Sequence, residues 1–223
     1  MRSSSRSKIL LGGFAAVIVL AIAGSLFYGV KKKHDLESSA TASAADATAR
    51  LREAAGTALD APQAADRLQT HADALARHLE RLRAEDVSRN KSLAEAAELY
   101  LVDVQAILRV QANAARALAA SRASRRALAA HIEHAEGRGP GWIQRALALK
   151  ERAERDNFDY RTALGALAAL YRAHRDSQDK LRAAAPGTPF LEEAARARLH
   201  QAAKDAEVQA EQDLEQLRRL PIG

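Results

Sequence analysis

The residues best suited to chemistry in this 223-residue chain are seven histidines, and there is no cysteine to assist them. His131 and His134 stand three apart, on one face of a helix, with Glu133 and Glu136 beside them. Two imidazoles at that spacing can share a metal ion, but a structural site needs further ligands, and no spacing in the chain marks them. A polar or cationic pair also suits a helix C-terminus, where the macrodipole favours positive charge. The pair is therefore a weak metal candidate, and no metal or cofactor is expected. His71 and His78, seven apart, read as solvated or seam-edge positions. No histidine follows a glutamate by three residues, as a carboxylate-bridged di-iron bundle requires. His-Glu-x-x-His, a glycine-rich phosphate loop and Gly-x-Ser-x-Gly are also absent. No catalytic residue is assigned, and the chain is not expected to be an enzyme.

A second chemistry-bearing group is cationic. Residues 106–130 hold Arg109, Arg116, Arg122, Arg125 and Arg126 and no acid. Such a run can meet an acidic partner or an anionic ligand. The acids Glu207, Glu211, Asp213 and Glu215 offer an internal counterpart, so a solvated face or interhelical ion pairs explain it as well. Gln111, Arg125, Asn157, His174 and Gln178 fall on or beside apolar seams, where polar groups set register or line a small pocket. Trp142, the only tryptophan, is either packed at a turn or an interfacial anchor at lipid headgroups.

The elements that must position these residues are helices. Alanine and leucine are abundant, aromatic residues make up 4%, and strand-favouring residues are sparse. Leu68, Leu75 and Leu82 recur at seven with Ala72 and Leu79 beside them. Leu93, Tyr100, Ile107, Ala114, Ser121 and Leu128 form a longer row, with Ala97, Val104, Gln111, Leu118 and Ile132 as its partner. Gly137 to Gly141 and Pro186 to Pro189 are the strong breakers. A third apolar row carries Ile143, Leu147, Tyr160, Leu164, Leu167, Tyr171 and Leu181; a fourth uses Leu199, Ala203, Ala206, Ala210, Leu214 and Leu217. The expected fold is all-α: an antiparallel up-down bundle over 50–220, with helices near 50–85, 88–136, 141–185 and 189–220. The turn near Asp86 rests on matching helix lengths, so one continuous helix over 63–136, giving three helices, is the alternative. Gly56 and Pro62 suggest a kink within the first helix. Asp60 and Thr188 are the expected N-caps there and before the last helix.

Ahead of the bundle, Ile9–Val30 contains no charged residue. Its 22 residues, as a helix of about 33 Å, match a hydrocarbon core of about 30 Å. The run is too long for a cleaved signal peptide, so a retained signal-anchor is expected. Arg2, Arg6 and Lys8 flank it on one side and Lys31, Lys32 and Lys33 on the other. These six account for the whole formal charge of +6; removing them from 34 basic residues leaves 28, equal to the 28 acids. The pI of about 9.8 therefore describes membrane flanks, and no nucleic-acid partner is expected. Residues 31–49 read as a basic stop and a Ser/Ala-rich spacer, or the frayed start of a helix; 221–223 is a tail.

The arginine-rich composition leans towards a bacterial source. The expected setting is an inner membrane crossed once, with the bundle on the periplasmic side, although the flanking charges nearly balance. The expected partners are the bilayer and an envelope protein, or a second copy of the chain. The leading expectation is a scaffold, adaptor or assembly subunit. The alternative is a ligand-binding sensory bundle. In general architecture the chain resembles the helical sensory domains of chemoreceptors, which carry a second span and an output region; neither follows here, so a separate signalling partner is implied.

Overall fold

The computed structural model describes residues 35–85, 90–134 and 139–222. Among them are five helices and no strand: α1 over 35–55, α2 Ala64–Ala84, α3 Lys91–Glu133, α4 Pro140–Ala184 and α5 Glu193–Arg219. The proposed span 9–30 and its six flanking cations lie outside the described residues. No helix among the described residues is long and apolar enough to cross a membrane.

Two expectations change at the amino end. Residues 35–49 are helix and not spacer, because Leu36, Ala40, Ala44, Ala47 and Leu51 recur at three- and four-residue steps and are all buried. The expected helix 50–85 is two helices. Gly56 closes the first, its N–H reaching the Arg52 and Glu53 carbonyls, and tight turns at Ala58–Ala61 and Ala61–Ala64 reverse the chain. Asp60 does not cap α2. That position falls to Gln63, which has a left-handed φ of 61° and makes no side-chain cap. Residues 63–136 do not form one helix either: α2 ends at Ala84, the backbone of Glu85 is extended, and α3 begins at Lys91.

Successive helices run antiparallel. Ser43 meets His78 and Arg50 meets His71 between α1 and α2. Arg83 meets Glu98, and Gln105 donates to the Ala72 carbonyl, between α2 and α3. Ser121 meets Asn157 between α3 and α4, and Asn157 meets the Ala210 carbonyl between α4 and α5. The long hairpin of α3 (43 residues) and α4 (45 residues) is the spine, about 65 Å at 1.5 Å per residue. Helices α1 and α2 cover one end of it, and α5 packs along the rest of α4.

The core is divided accordingly. The large apolar cluster joins α1, α2, the first half of α3 and the second half of α4, around Leu51, Leu75, Tyr100, Leu108 and Tyr171. A small one at the other end contains Leu128, Ala153 and Leu217, with Ile132 and Leu149 against it. The six-residue row from Leu93 to Leu128 is buried throughout. Leu147, from the expected third row, is exposed on α4. Helix α5 starts later than expected: Thr188 and Leu191 are buried and Phe190 packs against the core, while Pro189 stays exposed. The Pro189 carbonyl faces Thr48, Phe190 packs edge-on against Tyr100, and the Leu191 carbonyl accepts from Gln178.

Candidate functional site: two polar layers and an arginine groove

Four of the five polar seam residues are inside the bundle. Gln111, Asn157, His174 and Gln178 are buried, and Arg125 is half-buried. Gln111 apart, they sort into two layers.

The first layer lies within the large core. Tyr100 and Thr48 share a hydrogen bond of 2.6 Å, and the Thr48 hydroxyl faces both the Ala44 and Pro189 carbonyls at 2.9 Å. The His174 ring lies 5.0 Å from the Tyr100 ring and is wholly buried. Burial, with the nearby Arg196 charge, lowers its pKa to about 4, so it is neutral at physiological pH. Burial likewise raises Tyr100 and Tyr171. Ser177 Oγ stands 3.4 Å from His174 Nδ1 and donates to the His174 carbonyl at 3.1 Å. This Ser–His contact is buried, with Ser177 1% and His174 0% exposed. Gln178 donates to the Leu191 carbonyl, and Arg196 reaches its side-chain oxygen at 3.4 Å.

The second layer separates the two apolar clusters. Asn157 accepts from Ser121 Oγ at 3.3 Å and donates to the Ala210 carbonyl at 2.9 Å, joining three helices. Beside it Arg125 binds Asp213 at 2.5 Å and Arg161 binds Glu211. Tyr160 lines the same cavity of about 310 Å³, and burial raises its pKa. Part of the acidic counterpart in the last helix is therefore engaged internally.

The remaining arginines face outwards. Arg109, Arg116, Arg122 and Arg126 are exposed. Arg122 bonds Asp60 at 3.0 Å, and that bond and charge hold the Asp60 carboxyl below its ordinary pKa. Arg116, Arg122 and Arg126 line a groove of about 450 Å³ between residues 59–66 and α3, floored by Leu59, Ala115 and Leu118. Sequence reasoning singled out these arginines but missed Asp60 as the partner of Arg122, because the turn that delivers it is tertiary.

The metal candidates are used otherwise. His131 stacks on Trp142 with ring centroids 5.1 Å apart, and His131 Nε2 lies 3.1 Å from the Trp142 carbonyl. His134 Nδ1 meets the Ala130 carbonyl at 2.8 Å. No metal-binding group of three or more His, Cys, Asp or Glu residues occurs among the described residues. Trp142 donates its indole N–H to the His131 carbonyl, pinning the start of α4 to the end of α3. Comparison with protein-family models, curated proteins and solved structures returns no significant match.

Proposed function

We propose that the chain is a single-pass, membrane-anchored bundle that works as a scaffold, adaptor or assembly subunit through protein–protein contacts, without catalysis. The setting that fits is a bacterial envelope, with Ile9–Val30 as anchor, Arg2, Arg6, Lys8 and Lys31–Lys33 at the headgroups, and the bundle on the periplasmic side. The observation that carries this reading is a long helical surface that keeps large apolar residues exposed, both where α1 and α2 pack on the spine and beyond them. Leu99 and Val102 stand on α3, Leu147 and Phe158 on α4, and Val208 on α5. Crosslinking in intact membranes followed by mass spectrometry tests it; recovery of lipid and self alone counts against a separate protein partner.

A sensory bundle is the second reading, and one observation favours it. Gln111 Oε1, Tyr171 Oη, His174 Nε2 and Thr188 Oγ1 are buried with no hydrogen-bond partner among the described residues. Buried polar atoms normally find partners, and a small polar ligand is one way to supply them. A thermal-shift screen of the full chain against small polar metabolites separates the readings, since ligand binding raises the melting temperature.

A further inference from the structure

The track that α2 follows along α3 continues after α2 stops. Leu101, Gln105, Leu108, Ala112 and Ala115 are spaced three and four apart and buried, and Gln105 binds the Ala72 carbonyl of α2. The next positions at the same spacing, Ala119, Arg122, Arg126 and Ala129, are exposed. Burial ends there because α2 begins at Ala64 and the chain turns away through residues 56–63. Ala123 and Ala130, also exposed, keep the surface low enough for close helix approach.

The groove of about 450 Å³ opens at this point; Arg116, Arg122 and Arg126 line its α3 side, and Asp60, Gln63 and Asp66 line the other, so three cations face two acids. The chain itself displays what the α3 side accepts. The Asp60 carboxylate sits on Arg122 at 3.0 Å, and both side chains remain about half exposed. A bond so open to water contributes little to stability and exchanges readily.

We propose that this surface docks an acidic helical segment of a partner protein. The segment would continue the line of α2, laying small apolar residues over Ala119, Ala123 and Ala130. Its carboxylates would meet Arg122 and Arg126, taking the place of Asp60. Helix-in-groove recognition of this kind reads an apolar stripe by packing and its flanks by charge. The inference rests on the scaffold reading and gives that reading a location and a partner chemistry.

The test uses the full chain in lipid nanodiscs and a fluorescein-labelled three-heptad peptide with a Leu/Ala seam flanked by glutamates. A counterpart carries lysine for every glutamate. Saturable binding of the Glu peptide by anisotropy, with none of the Lys peptide, is expected. Arg122→Glu with Arg126→Glu should weaken binding at least tenfold, and the milder Arg122→Gln with Arg126→Gln serves if charge reversal unfolds the bundle. Asp60→Asn should tighten binding, and Arg172→Glu with Arg198→Glu should leave it unchanged. Failure of the Glu peptide to bind, equal binding of the Lys peptide, or indifference to the arginine variants overturns the proposal. Photocrosslinkers placed separately at Ala123 and Leu147 in native membranes keep the two readings apart. Protein adducts from Leu147 but none from Ala123 sink the groove and spare the scaffold; none from either sinks both.

Discussion

His174 is the residue whose environment has the sharpest consequence. In the unfolded chain an imidazole titrates near 6.5, whereas in the folded protein burial and Arg196 hold it near 4. Between those values the unfolded chain binds a proton that the folded chain does not. Its contribution to stability is therefore complete above about pH 6.5 and is lost as pH falls towards 4, by about 3 kcal/mol at most. Urea midpoints measured from pH 7 to 4.5 should fall less steeply in His174→Leu than in the parent. Parallel slopes would show that the imidazole is solvated. Asn157 makes a different prediction. Its amide joins α3 and α5 while only 1% exposed, so Asn157→Ala removes two buried hydrogen bonds and opens a small cavity. A loss of about 2–3 kcal/mol is expected in denaturant unfolding, against under about 0.5 kcal/mol for the exposed neighbour Asp159→Ala. Both buried positions were legible from the heptad register, since a polar residue on an apolar row must be either a mispaired surface site or a buried register device. The Asp60–Arg122 bond was not legible, because no period connects a turn to a helix 62 residues away.

Among the elements, α4 and α5 meet at Gly165, which faces Glu207. A β-carbon built there would stand 2.8 Å from Glu207 Oε1, the far end of a flexible side chain paired with Lys204. That carboxylate can swing aside, and alanine is better than glycine inside a helix by about 1 kcal/mol. Gly165→Ala should thus be neutral or stabilising by up to about 1 kcal/mol, whereas Gly165→Leu should push α5 away and lower the melting temperature. Equal loss in both variants would mean that Glu207 is not free to move. The helices themselves were readable because their apolar rows run for many turns: the α2 row and the Leu93–Leu128 row of α3 are buried as the spacing predicts. Leu118 and Ile132 of the second α3 row, by contrast, are only half-buried, and the buried row Leu101, Gln105, Leu108, Ala112 and Ala115 was not foreseen. The ends were less so. Thr188-Pro189 has the chemistry of a helix start, yet α5 waits until Glu193: Phe190 packs edge-on against Tyr100, and the Leu191 carbonyl accepts from the Gln178 amide. Residues 35–49 looked like a spacer because alanine and serine carry a weak apolar signal. Ala40, Ala44 and Ala47 are nonetheless fully buried, where small side chains let α1 approach its neighbours.

At the scale of the whole molecule, counting one more helix reverses the bundle's polarity. With four helices beginning near residue 50, the turn before Trp142 would return to the end from which the chain enters, and the tryptophan could sit at lipid headgroups. With α1 over 35–55, that end holds residue 35 and the start of α3, where Asn90 donates to Glu37 at 3.3 Å. Trp142 instead lies beyond the far end of α3, about 65 Å away along a 43-residue helix. If Ile9–Val30 anchors the chain, this side chain stands well clear of the bilayer, and its stacking on His131 is a device for closing the α3–α4 hairpin. Being the only tryptophan, it reports cleanly. Emission from the full chain in liposomes should be unaffected by headgroup spin-labelled or brominated lipids, while aqueous acrylamide quenches it in part. His131→Ala should increase that acrylamide quenching and lower the melting temperature by a few degrees, as expected for loss of about 1 kcal/mol of ring contact. Strong quenching by the lipid labels would place the bundle flat on the membrane, with the spine lying along the surface instead of projecting from it.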